Sequence, residues 1–426
     1  MLDELNALLA FVVALAGSAA LTPVVRRIAL RADLVDRPRN RGLSDRPVPL
    51  LGGIAILAGV VLAAVLELPD TAVTRAILGG AAVITLVGAL DDRFELPAWA
   101  KLIGQVAAAL IPVLSGVVVT NFTLPFLGHI DLGGAAKPLT LLGLVFLMNV
   151  VNFSDGIDGL AAGVCTISSI AFSIIAFDLG QNAAAILAAL IAGASLGFMF
   201  YNFNPASIFM GDSGAMLLGY LLGCVIVQGT LKTNAVIAMV FPLVILAVPF
   251  VDTTFVVLKR VKYRRPVYVA DRWHLHHRMS NIGFSQRRTV LYLYGWTVIM
   301  AGLAVALRFV PYSDNHGHLH AGWAVLMGVL GLVALAASLY LVYVLEIVKF
   351  RRLRAFQLRR EGGTGRPLSD NQIAAEVKRE FETGEFEPVA SPAPTAPPAP
   401  TGTPGPPDPH PAPGAGSTSA RSSRRA

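Results

Sequence analysis

The chain has 426 residues, of which 54% are hydrophobic and only 14% are charged, and its formal net charge is +7. Soluble domains carry about 25% charged residues, so this composition excludes a soluble enzyme of this length. The apolar residues cluster in stretches of about 18–25 residues, the length that an α-helix needs to cross the hydrocarbon core of a bilayer. The composition therefore predicts an all-α integral membrane protein.

Eleven apolar segments follow one another along the chain, which predicts about 11 transmembrane helices. They begin near Leu5, Leu50, Ala72, Ala98, Leu139, Leu160, Ala183, Met210, Ala235, Val290 and Ala321. The two cysteines, Cys165 and Cys224, both lie inside these segments, so the sequence predicts no disulfide framework.

Lys and Arg are distributed unevenly among the connecting loops. Residues 26–46 contain seven, residues 259–288 contain nine and residues 349–360 contain six, whereas four loops on the other side contain one each. By the positive-inside rule the basic loops face the cytoplasm, which predicts an N-terminus outside and a cytoplasmic C-terminus. The positive net charge is then an orientation signal with some affinity for anionic lipid head groups, and it gives no separate support for a nucleic-acid partner.

The composition changes twice after the last apolar segment. A basic and amphipathic stretch comes first, and a tail rich in Pro and Ala follows it. A segment of the second kind buries too little apolar surface to fold. We predict a polytopic transmembrane domain (residues 1–348), a cytoplasmic basic and amphipathic segment (349–384) and a disordered cytoplasmic tail (385–426).

Ten ionisable side chains that stand in motifs at or near the ends of the apolar segments all fall on the predicted cytoplasmic side. They are Asp91, Asp92, Asp155, Asp158, Asp212, Asp252, His274, His276, His277 and Arg278. Such residues in spanning segments are costly and mark functional sites by default. Because all of them fall at one membrane face, they predict a single cytoplasmic site, which makes residues 1–348 the catalytic domain.

Clustered carboxylates would repel one another unless a divalent cation neutralised them. Asp and Asn oxygens suit Mg²⁺, which normally binds through one or two carboxylates plus substrate phosphates. The glycine-rich helix starts at residues 155–159 and 211–214 offer backbone N–H groups to phosphate. The pattern therefore predicts metal-dependent chemistry on a phosphorylated substrate.

Each acidic motif also has a structural interpretation. Asp91 and Asp92 could flank a membrane helix, and Asp155, Asp158 and Asp212 could be N-caps. Independent caps have no reason to share one membrane face, which favours the common site. A structural zinc site at the histidines is disfavoured because no cysteine accompanies them.

Two non-enzymatic functions stay open. A transporter also places acids in broken helices, but near the midplane and between inverted repeats, whereas these acids lie at one surface and the sequence has no repeat. A membrane scaffold that recruits partners through the Pro-rich tail is the other, and the intact acidic motifs argue against it.

Five motifs occur in a fixed order. They are Asp91-Asp92, Ala100-Lys101-Leu-Ile-Gly-Gln105, Asn152-Phe-Ser-Asp155-Gly-Ile-Asp158-Gly-Leu, Phe209-Met-Gly-Asp212-Ser-Gly and His274-Leu-His276-His277-Arg278. Together they resemble the polyprenyl-phosphate N-acetylhexosamine-1-phosphate transferases, over roughly residues 29–279. The His-Leu-His-His form is similar to the WecA/TagO-like branch, which uses UDP-N-acetylglucosamine, whereas the sister MraY branch typically has three consecutive histidines.

The resemblance implies a reaction and its partners. N-acetylglucosamine-1-phosphate would pass from UDP-N-acetylglucosamine (UDP-GlcNAc) to undecaprenyl or decaprenyl phosphate with release of UMP, as the first membrane step of a cell-wall glycopolymer. The enzyme would be a Mg²⁺-dependent phosphotransferase of the bacterial plasma membrane with its site facing the cytoplasm. Mn²⁺ is the alternative metal, and a homodimer is an open oligomeric state. An MraY-like phospho-N-acetylmuramoyl-pentapeptide transferase, or another UDP-sugar donor, is the alternative reaction.

The resemblance also implies roles for single residues. The positions that match metal ligands are Asp212 and Asn152. Those that match substrate-binding residues are Lys101 for phosphate, Asp158 for uracil, and His274, His276, His277 and Arg278 for sugar and diphosphate. Those that match catalytic acids are Asp91, Asp92 and Asp155.

The first basic loop departs from the family pattern. Gly42, Ser44 and Leu50 stand where the family usually has Lys, His and Arg. The loss of three basic groups predicts a smaller contribution of this loop to diphosphate binding, with Arg46 as a candidate replacement, or else an altered donor.

Overall fold

The computed structural model describes residues 2–36, 47–124, 128–230, 285–310, 321–343 and 369–383, together with residues 246 and 254. These residues are mainly α-helical, as the composition predicts. The helices in the described ranges are α1 (Leu2–Arg31), α2 (Gly52–Glu67), α3 (Ala72–Phe94), α4 (Ala98–Leu114), α5 (Ala136–Ser154), α6 (Leu160–Asp178), α7 (Asn182–Asn202), α8 (Gly211–Val225), α9 (Gln286–Phe309), α10 (Ala321–Tyr343) and α11 (Asp370–Thr383).

Short elements connect some of these helices. Strands β1 (Val35–Asp36) and β2 (Val48–Pro49) pair antiparallel between α1 and α2. Strands β3 (Asn121–Leu124) and β4 (Gly128–Asp131) pair antiparallel between α4 and α5. A 3₁₀ turn (Gly133–Ala135) precedes α5, and a π-helical turn (Ile226–Thr230) continues α8.

Seven described helical stretches are long and apolar enough to cross a membrane. They are Glu4–Arg31, Ala72–Phe94, Gly133–Ser154, Leu160–Asp178, Asn182–Asn202, Gly211–Gly229 and Gln286–Phe309, and shorter apolar helices are Gly52–Glu67, Ala98–Leu114 and Ala321–Ala336. Ten of the eleven predicted segments thus coincide with helices. The segment predicted near Ala235 lies outside the described residues, and so do most of residues 349–384 and the whole of residues 385–426.

The helix starts follow local chemistry that the sequence contains. Thr71 caps α3 by accepting a hydrogen bond from the Thr74 N–H at 3.1 Å. Ser285 caps α9 in the same way, through the Arg288 N–H at 3.4 Å. Pro97 precedes the first residue of α4, where its fixed φ favours the start of a helix. Side-chain caps of this kind satisfy backbone donors that the helix itself leaves free.

Helix α8 lies in the middle of the bundle, since every residue from Ser213 to Val225 is buried. It packs against α3 and α5, while α1 packs against α2 and α7, and α6 packs against α7 and α9. Exposed apolar faces around a buried helix are what a lipid environment requires. The outward faces indeed carry large apolar side chains that are more than half exposed, such as Leu66, Leu86, Leu114 and Leu142.

Candidate active site

Asp92 closes the N-terminus of α8. Its Oδ1 accepts a hydrogen bond from the Asp212 backbone N–H at 2.8 Å, and its Oδ2 accepts one from the Ser213 N–H at 3.3 Å. Gly211 has a φ of +69°, and a Cβ at this position would overlap the Asp92 carboxylate. A carboxylate at a helix N-terminus is favoured by the free N–H groups and the helix dipole. Asp92 therefore fixes where α8 begins and how Asp212 is presented.

Lys101 bridges two aspartates that come from different helices. Its Nζ lies 2.9 Å from Asp91 Oδ2 and also contacts Asp212 Oδ2. Asp91 Oδ1 accepts a hydrogen bond from the Leu96 N–H at 2.8 Å, which fixes the turn between α3 and α4. This turn brings Lys101, in the first turn of α4, back over the end of α3. The Lys101 and Asp91 side chains are only 19% and 10% exposed, so water screens this pair weakly.

Asn152 contacts the other carboxylate oxygen of Asp212. Its Nδ2 donates to Asp212 Oδ1 at 2.7 Å from the last turn of α5. Asp212 is therefore held on one side by an ammonium from α4 and on the other by an amide from α5.

Asp155 adds a further carboxylate from the connection between α5 and α6. Burial, together with the negative charges of Asp212, Asp92 and Asp158, raises the pKa of its carboxyl group to about 8. The electrostatic coupling indicates that these four acids lie near one another. Together with Asp91 and Lys101 they make five carboxylates and one ammonium, a surplus of negative charge.

The donor set fits a hard divalent cation. Among the described residues no three His, Cys, Asp or Glu side chains stand together as a metal cage. Mg²⁺ does not need one, because it normally binds through one or two carboxylates, waters and substrate phosphates. Asp212 supplies carboxylate oxygens inside the negative cluster, and the Asn152 amide could present its oxygen instead of its nitrogen after a flip of the side chain.

Asp158 lies beside this cluster and holds the connection between α7 and α8. Its Oδ2 accepts hydrogen bonds from the Ala206 N–H at 2.9 Å and from Asn204 Nδ2 at 3.0 Å. Asn204 Nδ2 also contacts Gln286 Oε1, and the Asn204 carbonyl accepts from Arg287 Nε at 2.9 Å. The start of α9 is therefore attached to the loop that Asp158 holds.

Two buried polar contacts fix the glycine-rich start of α6. Asn202 Oδ1 accepts from the Gly159 N–H at 2.9 Å, while Asn202 Nδ2 donates to the Ile208 carbonyl at 3.0 Å. The Tyr294 hydroxyl donates to the Gly159 carbonyl. Sequence reasoning missed Asn202, Asn204 and Tyr294. The Asn204-Pro205 dipeptide was the available signal, since Asn-Pro favours a turn.

The histidine motif lies outside the described residues, so His274, His276, His277 and Arg278 stay sequence predictions. Gly42 and Ser44 also lie outside them, whereas Leu50 lies inside. The Leu50 N–H donates to the Leu34 carbonyl at 3.0 Å, and the Phe209 N–H donates to the Pro49 carbonyl at 2.8 Å. The end of the first basic loop is thus hydrogen-bonded directly to the residues that precede α8.

The structure brings together most of the predicted site residues that it describes. Asp91, Asp92, Lys101, Asn152, Asp155 and Asp212 converge from the ends of α3 and α5 and from the starts of α4, α6 and α8, and Asp158 lies next to them.

The chain is similar to known proteins. Residues 74–230 match the model of "Glycosyl transferase family 4". A probable undecaprenyl-phosphate N-acetylglucosaminyl 1-phosphate transferase from Bacillus subtilis is 39% identical over 313 residues, which cover 72% of this chain and 87% of that protein.

Two further relatives are named for different transferase activities. A decaprenyl-phosphate N-acetylglucosaminephosphotransferase from Mycobacterium leprae is 35% identical over 346 residues, covering 74% of this chain and 86% of that protein. A phospho-N-acetylmuramoyl-pentapeptide-transferase from Moorella thermoacetica is 32% identical over 280 residues, covering 62% of this chain and 86% of that protein. The motifs, their convergence at α8 and these similarities give one conclusion: the chain belongs to the polyprenyl-phosphate N-acetylhexosamine-1-phosphate transferases of glycosyl transferase family 4.

Proposed function

We propose that the protein transfers N-acetylglucosamine-1-phosphate from UDP-GlcNAc to a polyprenyl phosphate, releasing UMP. The names of the Bacillus and Mycobacterium relatives support this pair of substrates. The observation that carries the proposal is the convergence of Lys101 and Asn152 on the two carboxylate oxygens of Asp212. That arrangement surrounds one point with an ammonium, an amide and several acids, which is what binding a diphosphate with a divalent cation requires.

Asp212 and Asn152 are the residues that would hold Mg²⁺, or Mn²⁺ in its place. The bound metal would neutralise negative charge on the diphosphate and on the leaving UMP. Lys101 would neutralise part of the same negative charge. Its ammonium would turn from Asp212 toward a phosphate oxygen while it keeps its ion pair with Asp91, at 2.9 Å. The negative surplus of the cluster keeps the site selective for a cation-bound diphosphate.

The transfer itself is a direct displacement. An oxygen of the lipid phosphate attacks the β-phosphorus of UDP-GlcNAc, and the bond from that phosphorus to the bridging oxygen breaks, so that UMP leaves with the electron pair. A phosphate monoester has a second pKa of about 6, so the acceptor is largely dianionic at neutral pH and needs no strong base. Lys101 and Asp91 orient the reacting phosphates, and Asp158 at the neighbouring loop receives the uracil. A covalent aspartyl-phosphate route would instead trap labelled sugar phosphate on the enzyme when the lipid is left out.

The direction of each helix supports the proposed count of 11 spans. The site residues lie at the ends of α3, α5 and α7 and at the starts of α4, α6, α8 and α9. Helix α8 therefore leads away from the site end of the bundle, and α9 begins at the site end again. The chain between them must cross an odd number of times, which supports the span predicted near Ala235. Arg26 and Arg287, which belong to two of the basic stretches, contact the Ser207 and Asn204 carbonyls at the site end. By the positive-inside rule this supports an N-terminus outside and a site that faces the cytoplasm.

The metal assignment is tested with Asp212→Asn. We expect UMP release from UDP-GlcNAc and polyprenyl phosphate to fall at least about 100-fold, since one positioned charge in a catalytic site is worth that much, while the melting temperature in detergent stays near that of the wild type. Asp178→Asn is the control, because Asp178 pairs with Arg308 away from the site cluster. Near-normal turnover of Asp212→Asn at limiting Mg²⁺ would show that the assignment is wrong.

A further inference from the structure

A second group of contacting side chains lies directly beneath the site cluster. Gln105 Oε1 accepts from Asn149 Nδ2 at 2.8 Å, and Gln105 Nε2 donates back to Asn149 Oδ1 at 3.3 Å. Gln105 Nε2 also donates to Met216 Sδ at 3.2 Å. Gln105 is 1% exposed and Met216 is fully buried, while Asn149 is partly buried, so the pair extends into the interior of the bundle from the α5 side.

The same three helices supply both layers. Gln105 follows Lys101 by one turn on α4, Met216 follows Asp212 by one turn on α8, and Asn149 precedes Asn152 by about one turn on α5. A step of four residues along a helix is about 6 Å. Helices α4 and α8 start at the site end while α5 ends there, so all three residues lie deeper than their counterparts.

The donor capacity of the pair is fully used. Asn149 Nδ2 donates to the Val145 carbonyl at 2.8 Å as well as to Gln105. An amide that makes all these bonds at once is restricted in both its rotamer and the rotation of its helix. A loose apolar contact between α4 and α5 would allow either helix to turn slightly, which would withdraw Lys101 or Asn152 from Asp212.

We propose that Gln105 and Asn149 are positioning residues, which hold α4 and α5 in the rotation that brings Lys101 and Asn152 onto the two oxygens of Asp212. The proposal rests on the proposed function for its kinetic effect, and on the geometry of the bundle for its effect on metal binding. Neither residue touches the reacting groups. They fix the positions of Lys101 and Asn152 relative to Asp212, one turn closer to the site end.

The test uses full-length protein in detergent with three variants beside the wild type. Gln105→Met combined with Asn149→Leu replaces the pair by apolar groups of similar shape, a change that is nearly neutral for stability when both partners are removed together. Gln105→Asn combined with Asn149→Gln exchanges the two amides and retains their pairing. Thr166→Val is the control, because it removes a buried hydroxyl that bonds to the Ala162 carbonyl of its own helix, at 2.8 Å.

Each variant is measured in two ways: by the rise in its melting temperature with Mg²⁺ alone, and by steady-state kinetics that give kcat and KM for UDP-GlcNAc. A misplacement of about 1 Å costs about 100-fold in rate, so we expect the apolar double variant to lose about 10- to 100-fold in kcat and to need several-fold more Mg²⁺ for half-maximal stabilisation. Its melting temperature without Mg²⁺ should stay near that of the wild type. The exchanged variant should recover most of both losses, and Thr166→Val should show neither.

Two results would overturn the proposal. The first is an apolar double variant whose Mg²⁺ response and kcat equal those of the wild type. The second is an exchanged variant whose Mg²⁺ response and kcat are as low as those of the apolar variant, which would show that packing alone matters. A wild-type protein that responds to Mg²⁺ but releases no UMP would refute the proposed function. In that case the Mg²⁺ response of the variants still decides whether the amide pair positions the cluster.

Discussion

The two adjacent aspartates at the end of α3 have different partners, although their sequence context does not distinguish them. Asp92 gives both carboxylate oxygens to the backbone at the start of α8. Asp91 gives one oxygen to the Leu96 N–H and the other to Lys101. Asp92 therefore fixes the start of α8, whereas Asp91 holds the Lys101 ammonium.

This difference predicts that two matched substitutions affect different properties, stability in Asp92→Asn and UMP release in Asp91→Asn. In Asp92→Asn one of the two N–H groups of α8 would face an amide N–H, and losing a cap bond costs about 1 kcal/mol, so we expect a melting temperature lower by about 1 °C. In Asp91→Asn the amide oxygen can still accept from Leu96, so stability should change less, while UMP release falls because Lys101 loses its charged partner. Thermal unfolding and initial rates measured on both variants check this. A larger loss of stability in Asp91→Asn would contradict the assignment.

The sequence identified most site residues because acidic side chains stand out against apolar segments. It could not show that Lys101, Asn152 and Asp212 make one contact, because that depends on how three helices separated by many residues are packed. It also could not predict the hydrogen bonds between Gln105 and Asn149 and between Asn204 and Asp158, since a single amide side chain carries no signal of its partner.

At the level of helices, the close approach of α3 to α8 decides where the site residues meet. A Cβ on Gly88 would overlap the backbone of Ser213, so these two helices touch with no side chain between them at this point. Close contact through small residues is a common way for membrane helices to pack. The apolar segments predicted the helices themselves, but the crossing points are set by single small residues that the segment pattern does not reveal.

Gly88→Ala should therefore separate α3 from α8 and displace Asp92 from the start of α8. We expect a fall of about 100-fold in UMP release, the size of effect that a shift of about 1 Å causes, together with a lower melting temperature. Gly79→Ala on the same helix is the matched control, since its Cβ would meet nothing nearer than Ile111 Cγ2 at 4.0 Å. Equal behaviour of the two variants in both measurements would contradict the close approach.

For the whole molecule, helix direction and loop charge support the proposed orientation. Arg26 and the acidic cluster lie at the same end of the bundle, because the Arg26 Nε donates to the Ser207 carbonyl at 3.0 Å, next to the start of α8. Composition alone predicted a membrane protein with alternating helices. The proposed odd number of crossings between α8 and α9 depends on where the ends of both helices lie.

Labelling of single introduced cysteines tests this orientation. Phe94→Cys lies at the site end, at the last residue of α3, and Ala183→Cys lies near the opposite end at the start of α7, and both positions are exposed. The native Cys165 and Cys224 are buried, so their background labelling is low. In intact cells a membrane-impermeant maleimide should label Ala183→Cys, and it should label Phe94→Cys only after permeabilisation. The reverse pattern would place the site outside the cell.

The central claim is the identity of the reaction, and one assay tests it most directly. Purified protein is mixed with Mg²⁺ and polyprenyl phosphate, and UMP release is compared for UDP-GlcNAc and UDP-N-acetylmuramoyl-pentapeptide. We expect UMP from UDP-GlcNAc alone, with the Asp178→Asn control as active as the wild type. Release only from the second donor, or from neither donor in folded protein, would contradict the proposed function.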